Sequence, residues 1–206
     1  MAGVTNRAYR RLCREFGSPD AIYVCEMITA RAIVERNEKT LHMMAFDDDE
    51  SPRSMQLYGV DPVNLGEAVR IVAGEGWADH IDLNLGCPVP KVTKLGGGAA
   101  LPYKRGLLAR IVDAMVSAAA PYGVPVTLKF RKGIDDDHLT FLDAGRAAED
   151  AGAAAVALHA LDAVQADFSR LKEPCLDFVD SLWNATGGFH GNWTDDVLDP
   201  EYTYYG

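Results

Sequence analysis

Between Tyr9 and His159 the chain alternates between two hydrophobic periodicities, and this alternation limits its fold more than any other feature. Short β-type runs occupy 21–26, 54–59, 80–84, 124–131 and 154–159. Helical patterns separate them. In one, Asp61 offers an N-cap and Pro62 an N1 residue; Leu65, Ala68, Val69 and Val72 then follow at helical spacing until Gly74 and Gly76. Another sets Leu108, Ile111, Val112 and Met115 on one face and stops at Gly123, and a third runs from Thr140 through Phe141, Ala144, Ala147 and Ala148 to Gly152. Strands joined by helical crossovers form parallel sheets, because a parallel partner cannot be reached by a tight turn.

A parallel sheet is either open and doubly wound or closed as a barrel. The Gly-x-G-x-x-Gly turn of the dinucleotide-binding open sheet is absent, and Gly96-Gly97-Gly98 has the wrong pattern. Five runs finish in polar or charged side chains: Glu26, Gln56, Asp82 with Asn84, Lys129 with Arg131, and His159. Barrels carry their functional groups at such C-terminal strand ends. Strand parity agrees, since Thr127, Lys129 and Arg131 share a face opposite Val126, Leu128 and Phe130, as do Ser54 with Gln56 and Asp82 with Asn84. The expected fold is therefore α/β, a partial (β/α)8 TIM barrel of about five to six β/α units with a divergent C-terminal tail. Residues 1–160 form the barrel portion. Residues 161–206 differ in kind, with seven Asp and two Glu against one Arg and one Lys, and with eight of the 18 aromatic side chains.

The chemistry concentrates in Asp82-Leu-Asn-Leu-Gly-Cys-Pro88, followed by Lys91 and by Lys94-Leu-Gly-Gly-Gly-Ala-Ala-Leu101. A strand ends at Asn84, the chain turns at Gly86, and Pro88 stiffens the exit. Cys87 is thereby held at the mouth, where a thiol serves as nucleophile, acid or ligand. The other cysteines, Cys13, Cys25 and Cys175, have no C-x-x-C spacing, so neither a zinc site nor a disulfide framework is expected and no metal site is assigned. Lys91 and Lys94 suit an anionic substrate, and the glycine run suits a mobile lid. The net charge of −10 argues against unaided nucleic-acid binding, but the first 160 residues hold only −3 of it, which leaves room for a local basic face.

These segments together resemble the tRNA dihydrouridine synthases, flavin enzymes on a TIM-barrel scaffold. Met1-Ala-Gly-Val-Thr-Asn-Arg7 matches their opening signature. Residues 23–27, Gln56-Leu-Tyr-Gly59, residues 82–88, residues 129–133 and Leu158-His159 match in the same order. The resemblance implies FMN as cofactor, NADPH as reductant and uridine in folded tRNA as substrate, reduced to 5,6-dihydrouridine by hydride at C6 and a proton at C5. It implies that Cys87 delivers that proton. It assigns Gln56, Lys129 and His159 to the flavin, with Met1 and Ala2 lining its face. Asn84, Lys91 and Arg131 fall to the substrate.

The likeness stops at both ends. Met1 stands where the family's first barrel strand has just finished. After His159 the sequence lacks the Gly-Arg and Gly-x-Gly-Asp segments that bind the flavin phosphate, and the family's helical tRNA-binding domain does not follow. Weak FMN binding and poor stability as a monomer are the corresponding expectations. Two alternatives stay open at this point: an inactive truncated remnant or binding module, and another FMN barrel oxidoreductase such as a dihydroorotate dehydrogenase. No apolar run reaches the ~20 residues of a membrane span, and the N-terminus lacks the apolar core of a signal peptide, so a cytoplasmic protein with no membrane contact is expected.

Overall fold

The computed structural model describes residues 4–18, 21–135, 137–159, 183–184 and 188–189. The chain divides into two units, Met1–Ala160 and Leu161–Gly206. Five parallel strands form the sheet of the first: β1 (Val24–Thr29), β2 (Ser54–Tyr58), β3 (His80–Leu85), β4 (Val126–Arg131) and β5 (Ala155–His159). Their order in space is their order in sequence. A doubly wound sheet reverses direction at a switch point and carries helices on both faces. Here nothing reverses, and the crossover helices pack on one another in succession. α2 (Ala30–Val34) meets α4 (Pro62–Gly74), α4 meets α6 (Arg105–Ala119), and α6 meets α7 (Phe141–Asp150). That winding is the winding of a (β/α)8 barrel, of which these strands form a part.

The local reasons are visible residue by residue. Asn6 caps α1 (Arg7–Phe16) by accepting from the Tyr9 amide at 3.0 Å. Asp61 caps α4 by accepting from Val63 N at 3.0 Å, with Pro62 in the first turn as expected. Leu65, Ala68, Val69 and Val72 of α4 and Leu108, Ile111, Val112 and Met115 of α6 are buried, along with Met55, Leu57, Ile81, Leu83 and Leu85 of the strands. Each of the larger side chains, Ala68 excepted, contributes about 1.5–3 kcal/mol. Leu65→Ala alone would cost about 2–5 kcal/mol through the cavity it leaves.

One reading of the sequence needs correction. The first strand begins at Val24 rather than Ala21, because pairing with β2 sets it: Met27 lies opposite Gln56 and Thr29 opposite Tyr58. Glu26 is consequently buried inside β1 and does not mark a strand end. The segment between β1 and β2 also folds, into α2 and α3 (Glu38–Met43), which are too short to show a period. In the second unit, Trp183–Asn184 pairs antiparallel with Gly188–Phe189. The sequence of 176–183 suits a short helix or strand; apart from Trp183 it lies outside the described residues.

Candidate active site

The sheet face opposite the helices is polar. Alternate residues of three strands supply it: Ser54 and Gln56 from β2, His80, Asp82 and Asn84 from β3, and Thr127 and Lys129 from β4. The register aligns Gln56 with Asp82, Asp82 with Thr127, and Asn84 with Lys129. One connected network results. Ser54 Oγ lies 2.6 Å from His80 Nδ1, and His80 Nε2 lies 2.9 Å from Thr127 Oγ1. Thr127 donates to Asp82 Oδ1 at 2.8 Å and Gln56 Nε2 donates to Asp82 Oδ2 at 2.7 Å. Asn84 Nδ2 donates to Gln56 Oε1 at 2.9 Å. Burial raises the Asp82 carboxyl above its ordinary value, against the hydrogen bonds from Gln56 and Thr127 and the charges of His80 and Lys129. Burial also lowers His80, against the pull of Asp82. Lys129 is half-buried and its ammonium forms no hydrogen bond or ion pair among the described residues.

Cys87 stands two residues past β3, and four hydrogen bonds from three residues fix the Gly86-Cys87 turn. Asn84 Oδ1 accepts from Gly86 N at 3.3 Å and from Cys87 N at 3.0 Å. Arg131 Nε donates to Gly86 O at 2.7 Å. Ala99 N donates to Cys87 O at 3.0 Å. Gly98 has φ of +54°, and a Cβ there would collide with the Cys87 carbonyl oxygen. Gly96, Gly97 and Gly98 are buried. The glycine run expected as a lid is thus the packing surface on which the Cys87 turn rests. Cys87 is half-buried. Cys25 contrasts with it: burial pushes its thiol up to about 11, so it behaves as a small core hydrophobe.

Of the residues singled out from the sequence, the structure brings Gln56, Asn84, Lys129, Cys87 and Arg131 to one end of the sheet. Arg131 contacts the loop through Gly86 rather than standing free. Lys91 is exposed on α5 (Pro90–Thr93), one turn past Cys87. His159 closes β5 opposite Arg131. Met1 and Ala2 lie outside the described residues. His80 was missed as a site residue, Ser54 and Thr127 were seen only as polar members of a face, and Asp82 only as a strand-end group opening the Cys87 segment. The signal was their parity with Gln56, Asn84 and Lys129. A concavity of about 480 Å³ lined by Leu41, Met44, Phe46, Arg53 and Trp77 lies at the opposite, N-terminal ends of the strands. It holds none of these groups.

The family model for dihydrouridine synthases matches residues 1–171. The chain is 62% identical over 170 residues to a probable tRNA-dihydrouridine synthase of Mycobacterium tuberculosis, covering 80% of this chain and 44% of that protein. A probable tRNA-dihydrouridine synthase of Mycobacterium leprae is 57% identical over 189 residues, covering 80% and 49%. The tRNA-dihydrouridine synthase B of Pseudomonas aeruginosa is 40% identical over 159 residues, covering 77% and 46%. The chain therefore spans about half the length of the curated relatives it matches.

Proposed function

The chain belongs to the dihydrouridine synthase family, and from that premise we propose that it carries the reducing centre of an enzyme that converts uridine in tRNA to 5,6-dihydrouridine, with FMN as cofactor and NADPH as reductant. The observation that carries this reading is the placement of a fixed, half-buried cysteine beside a donor-rich polar face. That face suits a flavin ring. Among the described residues, Lys129 is a half-buried cation that forms no hydrogen bond or ion pair, its charge acting on Asp82 only through space, and the Gln56 and Asn84 amides each keep one uncommitted N–H. A flavin's pyrimidine edge presents carbonyl oxygens and ring nitrogens to such groups, and a cation beside it favours its reduced, anionic form.

When bound, FMN supplies the hydride chemistry. Cys87 holds the proton for the second half of the reduction on Sγ and delivers it to the uracil C5. Asn84 orients the uracil while it anchors the Cys87 amide, so substrate position and acid position are set by one side chain. Arg131 and Lys91 flank the mouth and attract the phosphates of the RNA; the remaining members of the set, Met1, Ala2 and His159, complete the flavin site. Residues 1–160 serve as the FMN-binding portion, with 161–206 as a separate tail. No helix among the described residues is long and apolar enough to cross a membrane; the tRNA substrate supports a cytoplasmic location.

The test is an FMN titration of the purified chain, followed by flavin absorbance, with Lys129→Ala as control. Saturable binding weakened about tenfold or more in the control is expected. Cys87→Ala should retain the flavin and lose uridine reduction in tRNA. Flavin binding that ignores Lys129, or uridine reduction that survives Cys87→Ala, would refute the assignment.

A further inference from the structure

Two hydrogen-bonded chains meet at Asp82, and their directions can be derived. At the mouth, the Gly86 and Cys87 amides approach Asn84 Oδ1 at 3.3 and 3.0 Å. A backbone N–H can only donate, so Asn84 must turn its Nδ2 the other way, toward Gln56 Oε1 at 2.9 Å. Gln56 then points Nε2 at Asp82 Oδ2, 2.7 Å away. At the floor, Thr127 has one proton and gives it to Asp82 Oδ1 at 2.8 Å. Its oxygen must therefore accept from His80 Nε2 at 2.9 Å. A neutral imidazole with its proton on Nε2 accepts at Nδ1, and Ser54 Oγ stands there at 2.6 Å. Every proton in both chains points toward Asp82. An ionised carboxylate is acceptor-only, and it is the one side chain in the set on which both chains can end.

We infer that Asp82 is a positioning residue: it sets the direction of the Gln56 and Asn84 amides on the mouth side and the tautomer of His80 on the floor side. The consequence for a ligand is that both amides have only N–H donors left over on nitrogen, and this part of the inference rests on the function proposed above. The side chain is buried to 5% exposure, and burial of a carboxylate is tolerated where several donors converge on it.

Asp82→Asn separates this role from a merely structural one. Its Oδ1 can still accept from Gln56, so the mouth chain survives. Its Nδ2 must then donate to Thr127, which reverses Thr127 and moves the His80 proton from Nε2 to Nδ1. The experiment uses the full chain with ¹⁵N-labelled histidine, with the His80 signals assigned through His80→Gln. The expected result is Nε2–H in the wild type and Nδ1–H in Asp82→Asn. The Cys87 amide should exchange with solvent within about threefold of the wild type in Asp82→Asn and about tenfold faster in Asp82→Leu, where the mouth chain loses its end. Should Asp82→Leu not fold, Thr127→Val cuts the floor chain alone; His80 should then lose its single tautomer while Cys87 exchange stays unchanged. An Nδ1–H or doubly protonated His80 in the wild type overturns the inference, as does an Asp82→Asn variant that keeps Nε2–H. These readouts need neither flavin nor RNA. A wild-type chain that binds no FMN would sink the proposed function and leave the tautomer result standing.

Discussion

Three adjacent glycines give a graded test of how the Cys87 turn is held. Gly97 has φ of −97°, and a Cβ there would sit 3.3 Å from methyls of Val60 and Val92, which side-chain shifts can relieve. Gly96 has φ of +83°, and its Cβ would meet the Lys104 ammonium, the far end of a flexible chain. Gly98 combines a φ of +54° with a collision against the Cys87 carbonyl, which is backbone and cannot move alone. Alanine should therefore cost within about 1 kcal/mol at Gly97, and about 1–2 kcal/mol at Gly96 from the left-handed conformation alone. At Gly98 the same strain adds to a hydrogen bond, Ala99 N to Cys87 O, worth about 1 kcal/mol, so the total is about 2–4 kcal/mol. Urea denaturation measures the stabilities. The rate of Cys87 alkylation, read on its own peptide by mass spectrometry, measures the local opening. Gly98→Ala should raise that rate by about tenfold or more and Gly97→Ala by no more than about twofold. Equal effects at Gly97 and Gly98, on either measurement, would refute the argument that close approach to Cys87 is what requires a glycine.

Two further outcomes follow from buried charge. Arg10, 1% exposed, meets Glu50 through Nε and Nη2, both at 2.7 Å, and reaches the Thr5 and Ala45 carbonyls at 2.9 and 3.1 Å. Glu50→Gln leaves that guanidinium buried without its counter-charge and should cost about 3–5 kcal/mol in urea denaturation; a cost under about 1 kcal/mol would contradict the reading. His80 gives a pH dependence. Burial lowers its folded pKa below the unfolded value of about 6.5, so the unfolded chain takes up the proton first. Its contribution to stability is full above the unfolded pKa and is lost as pH falls through the folded one. The stability difference between wild type and His80→Gln should shrink from pH 8 to pH 5, and a difference that grows would reverse the sign of the assignment.

The fold was legible because its signals are local and periodic. Asp61 and Pro62 start α4, the apolar spacing of α4 and α6 matches their buried faces, and Gly123, with φ of +67°, ends the segment after α6. The start of β1 was not legible, since Val24 is chosen by pairing with Ser54 rather than by its own neighbours. Of the site, the Cys87 turn was visible as Asn-x-Gly-Cys-Pro. The role of Gly98 was not, because a glycine that allows mobility and one that allows close approach look alike in sequence. Arg131 likewise shows its use only when Gly86 O is seen 2.7 Å from its Nε.

Parity exposed a polar face, but parity cannot say what a polar face lacks. The hydrogen-bond inventory can. Asp82 accepts at both oxygens, Asn84 Oδ1 accepts two amides, and Gln56 Oε1 accepts Asn84. The acceptors of the face are thereby largely occupied by the protein itself. Among the described residues, what is left over is a set of donors: one N–H on Gln56, one on Asn84, and the ammonium of Lys129. Packing alone would not arrange this, since a half-buried lysine with no ion-paired carboxylate among the described residues is unfavourable and an apolar side chain there would be less costly. A surface left with surplus donors is complementary to an electron-rich partner, and it repels a cation. The same surplus sits beside Cys87, whose turn is tied down by Asn84, Arg131 and Ala99. The two features, a donor-rich wall and a fixed thiol, are what a site needs if it is to hold an electron-rich ring and place a proton on a substrate stacked against it.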